Sequence, residues 1–485
     1  MAVLTIWRGN TKTTLDFVNP QPLRVLLESA GFHEQQLCGG RGICGKCAVE
    51  LHGMVSEPND AERRAGTRLL CQAEVLGDAE VILTDETAFA QIQTASQLET
   101  VVGAPMNGKI GAAVDIGTTT IALRRYDLLT GELLGESAME NPQRSVAADV
   151  MGRIGAALDG QLDKLSQQVR DAIGALLAQA GGSVDAMVIA GNTTMLYLLT
   201  GRNPACLSCV PFEADTLFDT EISLLESQAY LPPCMNAFVG ADITCAVLAS
   251  NMCADKVSLL CDIGTNGEIA LWKDDILYVT ATAAGPAFEG AGISCGCSSV
   301  TGAIDKAWIE QGQLCIHTIA DAPAVGLCGS GLIDTVAQLL ELEVLDETGA
   351  LDDDEVELAP GVILLQKDIR ALQLAKAAIA AGIETLLEVS STDPKEIENF
   401  YIAGGFGSHL DIQSAVKIGL IPVKLADKVR VIGNAALVGA SQLLLDQRKV
   451  ELVQQIAKVS CHKNLGGDPL FNELYVEQMF FPVDD

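Results

Sequence analysis

Four cysteines are placed to hold a metal centre. Cys38, Cys44 and Cys47 fall within CGGRGICGKC and Cys71 follows in TRLLCQAEV, a spacing of C-x5-C-x2-C-x23-C. Thiolates suit zinc and iron–sulfur clusters, and a two-iron cluster needs four of them, here three from one tight loop and one from a distant strand. Glycines at 39, 40, 42 and 45 let backbone N–H groups approach the sulfides, where donors stabilise the reduced, more negative state. A structural zinc site normally pairs two C-x2-C units, and unrelated buried cysteines are seldom packed three among so many glycines. The pattern is read as a [2Fe-2S] centre held by all four residues, and so as an electron carrier.

A second chemistry is written twice. Residues 110–121, IGAAVDIGTTTI, carry an apolar strand through Asp115 into a Gly-Thr turn, and 258–270, SLLCDIGTNGEIA, do the same through Asp262. Gly117 and Gly264 remove bulk so that N–H groups can face phosphate oxygens, while Thr118, Thr119, Thr265 and Asn266 add side-chain donors. Asp115 and Asp262, at the ends of buried strands, are the catalytic candidates, placed to hold Mg2+ through its waters or to orient an attacking water. Each turn leads into another strand, whereas a P-loop feeds a helix, and no G-x4-GK[ST] is present. A third element, NFYIAGGFGSH at 399–409, runs a strand into Gly404, Gly405 and Gly407, where an adenosine could lie against backbone. Together these point to ATP with Mg2+.

The elements that must position these residues are legible in outline. VLTIW (3–7) and TTLDFV (13–18) are β-type runs around Gly9-Asn10, and Pro22 opens a helix with Leu23, Leu26 and Leu27 on one face, closing at Gly31. That order suits an α+β β-grasp domain. The repeated Asp-Gly-Thr phrase predicts an α/β unit of two related subdomains. VIAGNTTM (188–195) and VIGNAALVGA (431–440) each read as a strand entering a small-residue helix. Leu162, Leu165, Val169, Ile173, Leu176 and Leu177 form one core-facing stripe, and Ile369, Leu372, Lys376 and Ile379 another. The expected organisation is a [2Fe-2S] domain at 1–87, a linker at 88–109 and an ATPase unit at 110–485. The composition of 88–109 fits equally a mobile tether and an ordered connector.

Composition sets limits. The chain has 485 residues, 49% hydrophobic, with a formal net charge of -32. A polyanion needs a basic footprint, so nucleic acid is not expected as a partner. The acidity serves solubility, or docking to a basic patch. The start, MAVLTIWRGN, lacks a signal-peptide pattern, fifteen cysteines are an odd count, and no apolar run approaches the ~20 residues that span a bilayer. A cytoplasmic protein with reduced thiols and no membrane contact is expected. Cys206 with Cys209 and Cys295 with Cys297 complete no four-ligand set, and are read as ordinary thiols unless a dimer shares them. His409 is read as a loop residue and Asp352–Glu355 as a solvated acidic loop.

The N-terminal motif resembles the adrenodoxin-like and plant-like ferredoxins, its five-residue first gap being closer to the former. The set of landmarks over 110–445 resembles the actin, sugar kinase and Hsp70 ATPase superfamily, in the order first phosphate loop, first connecting helix (188–195), second phosphate loop, adenosine loop, second connecting helix (431–440). The combination, with TATAAGPAFEGAGISCG (280–296), GLCGSGLID (326–334), QKDIRALQLAKAAI (366–379) and YIAGGFGSHLD (401–411), resembles the ATP-dependent reductive activators of corrinoid proteins over nearly the whole chain. The resemblance implies that a corrinoid protein of a methyltransferase system, oxidised to inactive Co(II), is returned to Co(I) by one electron at the expense of ATP. It also implies an upstream low-potential electron donor and a homodimer. The segment 285–296 with Glu289 is read as part of the nucleotide cleft, the partner surface or a tight turn. Family members often carry a further domain between ferredoxin and ATPase; with only 88–109 between them here, that domain is expected to be absent or relocated. Competing readings are an activator of 2-hydroxyacyl-CoA dehydratases, a ferredoxin-fused hydrolase or kinase, and a nucleotide-switched electron-transfer module.

Overall fold

A computed structural model describes residues 2–8, 11–18, 20–32, 47–65, 67–83, 94, 96, 98, 100, 102–404 and 410–482. Cys38, Cys44, Gly405, Gly407 and His409 lie outside the described residues.

The N-terminal unit is a β-grasp. Strands β1 (Ala2–Arg8) and β2 (Thr11–Phe17) form an antiparallel pair, and helix α1 (Leu23–Ser29) follows Pro22, whose φ of -59° is already helical. Its Leu23, Leu26 and Leu27 are buried, as the spacing predicts. β3 (Ala48–Val55), helix α2 (Asp60–Ala65) and β4 (Glu74–Leu83) complete it, in strand order β2–β1–β4–β3 with β1 and β4 parallel. Strict alternation along β4 places Val75, Ala79, Val81 and Leu83 in the core.

The large unit is a duplication. In its first half β5 (Ile110–Ile116), β6 (Thr120–Asp127), β7 (Leu133–Glu140), β8 (Ala186–Gly191), β9 (Thr220–Leu224) and β10 (Ser227–Leu231) form one sheet in the order β9–β10–β8–β5–β6–β7. In the second half β11 (Val257–Ile263), β12 (Gly267–Lys273), β13 (Ile276–Thr282), β14 (Asn399–Ala403) and β15 (Val429–Gly433) run β15–β14–β11–β12–β13. The two sheets share the core order and the same mixture of parallel and antiparallel pairs: β8 with β5 matches β14 with β11, and β5–β6–β7 matches β11–β12–β13. The run EIALWKDDILYVT is therefore two strands. Asp274 and Asp275 turn the corner with φ of 52° and 59°.

Duplication corrects one expectation. Helix α3 (Ala241–Ser250) follows β10, and α4 (Ala435–Leu445) follows β15, the equivalent strand. These two pack directly: a Cβ on Gly439 would lie 2.1 Å from the Cys245 carbonyl oxygen, so only glycine permits the approach. The first connecting helix is thus 241–250, not the helix Thr193–Thr200 that follows 188–192. The two segments look alike in sequence because both begin at an asparagine cap, Asn192 or Asn434. Every residue of α4 is buried, which explains why it shows no polar face.

Both predicted stripes are core-facing. Leu165, Val169, Ile173, Leu176 and Leu177 are buried on Leu162–Gln179, with Leu162 at its rim. Ile369, Leu372, Lys376 and Ile379 are buried on Gln366–Val389. Lys376 is accommodated because its Nζ donates to the Phe480 carbonyl and lies over the Phe481 ring.

The described part of 88–109 is an ordered connector. Arg124 donates to the Thr94 carbonyl, Ser96 to the Ile432 carbonyl, and Gly103 and Met106 N–H groups to Leu445 and Leu444. Leu98 and Met106 pack on the core beneath α4. Asp446 accepts from the Ala104 N–H and is held well below the usual carboxylate range, chiefly by Arg448. Among the described residues no helix is long and apolar enough to cross a membrane. Asp446→Ala is expected to speed limited proteolysis within 94–106 several-fold while leaving the cluster absorbance unchanged; an unaltered cleavage rate would show that this clasp does not hold the connector.

Candidate functional site

The described half of the cysteine set is drawn together by the β-grasp. Cys47 precedes β3 and Cys71 precedes β4; their segments are stitched by Ala48↔Leu69 pairing and by the Leu70 N–H donating to the Cys47 carbonyl. The two sulfurs stand 3.2 Å apart. That is too long for a disulfide and close to the roughly 3.7 Å expected of two thiolates on one tetrahedral metal. Gln72 Nε2 lies 3.6 Å from the Cys71 sulfur, a donor of the kind that tunes a cluster. Beneath them Glu62 accepts from Arg68, the Leu69 N–H and the Asn59 N–H. Burial opposes its charge, but these donors outweigh burial and hold the carboxyl below its ordinary value. The described donors fit a [2Fe-2S] cluster.

The nucleotide-type residues converge on one cleft between the two sheets. Asp115, Gly117, Thr118, Thr119, Asp262, Gly264, Thr265, Asn266 and Gly404 all line it. Both turns are closed by their own backbone, Gly117 N–H to Thr120 and Gly264 N–H to Asn266. They face each other so closely that the Thr119 and Thr265 hydroxyls are 3.1 Å apart. Gly404, at φ +99°, packs where a Cβ would come within 2.8 Å of the Asp262 carboxylate, so no larger residue fits.

Polar groups behind the loops hold them in place. Asn434 caps α4 with Oδ1 and donates through Nδ2 to Asp115 at 3.0 Å; Asn192 caps Thr193–Thr200 and donates to the Thr118 hydroxyl at 3.2 Å. Fully buried Arg153 donates to the Thr118 and Ala147 carbonyls from behind the first loop. Burial brings its guanidinium down to about 9.

The sequence reading missed two carboxylates here. Asp242, at the start of α3, and Glu268, on β12 directly opposite Asp262, complete a set of four with Asp115 and Asp262. Burial pushes Asp115 up to about 6, Asp262 to about 7 and Asp242 to about 8, with repulsion from Asp115 adding to the last two; Glu268 is driven well above its usual range by burial and the aspartates. The signals that could have found them were a lone acid in GAD before an apolar helix, and an acid in the strand after the second loop. Such a donor set suits a hard divalent cation.

Cys206 lies 3.7 Å from the Tyr197 hydroxyl, Cys209 is exposed, and Cys297 lines the cleft with Cys328.

Fold and sites define a ferredoxin unit fused to an ATPase of the actin, sugar kinase and Hsp70 type, binding a [2Fe-2S] cluster and ATP. Residues 8–76 match the 2Fe-2S iron-sulfur cluster binding domain, 110–255 the RACo middle region, and 256–485 the C-terminal domain of RACo, the ASKHA domain. The corrinoid activation enzyme RamQ of Eubacterium limosum is 34% identical over 418 residues, 76% of this chain and 70% of that one. A Co(II) methylated amine-specific corrinoid protein reductase of Methanosarcina barkeri is 26% identical over 417 residues, covering 76% and 77%. A solved reductive activator for a corrinoid, iron–sulfur protein superposes with a TM-score of 0.72 at 26% identity over 99% of both chains. The chain belongs to the RACo family of corrinoid-activating proteins. The match to the RACo middle region covers the lobe that carries Asp115.

Carboxyls raised in the folded state favour the protonated protein, so their contribution to stability is complete in acid and is lost as pH rises through about 6 to 8. Asp242→Asn is expected to stabilise the nucleotide-free protein at pH 8 by ~1–2 kcal/mol in thermal melts, with the gain shrinking as pH falls and gone only below about pH 4, where an unfolded aspartate is protonated as well. A gain independent of pH would contradict the titration assigned to Asp242.

Proposed function

We propose that the chain reduces a corrinoid protein from Co(II) to Co(I) in an ATP-dependent one-electron step. The observation that carries this is the presence, on one chain, of a ferredoxin unit and a twin-loop nucleotide cleft, in a family whose relatives are named for corrinoid activation. The ferredoxin unit on the same chain sets this reading apart from activators of 2-hydroxyacyl-CoA dehydratases, which lack one. The [2Fe-2S] cluster would supply the electron and Mg2+ would neutralise phosphate charge.

Cys38, Cys44, Cys47 and Cys71 would hold the cluster on a domain spanning 1–87. In the unit spanning 110–485, the Gly117 and Gly264 turns and the hydroxyls of Thr118, Thr119 and Thr265, with Asn266, would bind the phosphates, and the glycine segment of Gly404, Gly405 and Gly407 would serve the adenosine. Asp115, Asp242, Asp262 and Glu268 would hold Mg2+ through its waters. Asp115, oriented by Asn434, and Asp262 align the attacking water, and a carboxyl near neutrality is suited to take its proton. Energy reaches the electron through binding: ~1.4 kcal/mol of differential affinity for the two oxidation states moves a one-electron potential by about 59 mV. The acidic surface would dock to a basic patch on its partners, among them a low-potential donor, in a cytoplasmic homodimer.

The reduced chain mixed anaerobically with a Co(II) corrinoid protein should yield Co(I) absorbance only when ATP is present. Asp115→Ala and Asp262→Ala should each cut ATP turnover by at least ~100-fold with the cluster spectrum intact. Co(I) formation at the same extent without ATP would overturn the coupling, and retained turnover in both variants would overturn the site.

A further inference from the structure

Glu289 lies in the short 3-10 turn Pro286–Glu289 and directs its carboxylate between the two phosphate loops. Thr119 donates to Oε2 at 2.5 Å and Thr265 donates to Oε1 at 2.8 Å. One carboxylate therefore takes hydroxyl donors from both halves of the duplication at once. Two anionic oxygens gripped by facing donors, at the meeting point of two glycine turns, is also what a phosphoryl group requires. The positive field of Arg153, which supports the first loop from behind, extends to Glu289.

We propose that Glu289 stands in for the terminal phosphate of ATP and must be expelled when ATP binds. The proposal rests on the reading of this cleft as the ATP site and adds its regulation. ADP, which lacks the terminal group, enters with Glu289 still seated between the threonines. ATP brings a second anion to the same donors, and two anions cannot share them. Glu289 thus sets the preference between the two nucleotides and registers which one is bound.

The turn is anchored in the core by Ala287 and Phe288, and the Gly285 N–H ties it to the Thr265 carbonyl of the second phosphate loop. Glycines flank it with φ of +79° at Gly285 and +73° at Gly290, and a Cβ on Gly290 would meet the Cys297 backbone within 2.4 Å. The Cys297 N–H in turn donates to the Leu327 carbonyl, two residues before the helix Gly329–Glu341. Withdrawal of Glu289 is therefore passed through the backbone at 296–297 to the start of that helix, away from the phosphates themselves.

The test is nucleotide titration of the cluster-loaded full chain, wild type against Glu289→Gln and Glu289→Ala. Removing the charge should tighten ATP binding by about ten-fold and change ADP binding less than about two-fold. ATP binding that is unchanged or weaker, as for a cation-holding or proton-accepting glutamate, would overturn the proposal, as would equal tightening of both nucleotides. A wild-type chain that binds neither nucleotide would instead sink the ATP-site reading. Hydrogen exchange on the wild-type chain gives an independent measure: ATP, but not ADP, should speed exchange across 286–297, and identical exchange with the two nucleotides would count against the latch.

Discussion

Four carboxylates directed into one cleft are the constraint on which the rest of the large unit depends. Asp115 and Asp262 end equivalent strands of two sheets, and the duplication that aligns those strands brings the acids face to face. Glu268 sits opposite Asp262 across the antiparallel pair and Asp242 arrives on a connecting helix. Enclosure by protein drives all four toward the neutral form, and repulsion from neighbouring carboxylates adds to it at Asp242, Asp262 and Glu268. Such a set costs stability when ionised, and it persists because the surrounding fold over-determines it. Asparagine caps, a buried arginine and tightly packed helices at Gly439 hold the frame against that repulsion.

The same frame explains how phosphate chemistry can act at a distance. Each phosphate loop belongs to a different sheet, and the connecting helices 241–250 and 435–445 pack between those sheets. Whatever bridges the loops therefore fixes the relation of the two lobes. Glu289 is such a bridge, and on the proposed reading a phosphoryl group would be another. The connector at 102–106 is hydrogen-bonded to residues 444–447 at the end of one of those helices.

Local chemistry was legible in the sequence wherever a residue type and its immediate neighbours carried the signal. The four-cysteine spacing, the two Asp-Gly-Thr turns and the strand–helix pattern around Leu23 to Leu27 each depend on a few adjacent positions. What escaped depends on long-range pairing. Asp242 and Glu268 are single acids in apolar surroundings, and only the strand order shows them facing Asp115 and Asp262. The segment 188–195 reads as a connecting helix because an asparagine cap after an apolar strand looks the same in both halves, whereas the decisive feature is the close backbone contact made by Gly439. The tether at 88–109 read ambiguously for a similar reason: its small polar residues give no hint that Asp446 and the Leu444 and Leu445 carbonyls await them.

If this cleft is the ATP site, as proposed, a divalent cation held by these raised carboxyls must draw protons from them when it binds with the nucleotide. Calorimetric titration at pH 7 in buffers of different ionisation enthalpy tests it directly. The account predicts net proton release on binding, seen as a binding heat that varies with the buffer. A heat independent of buffer, or net proton uptake, would contradict it.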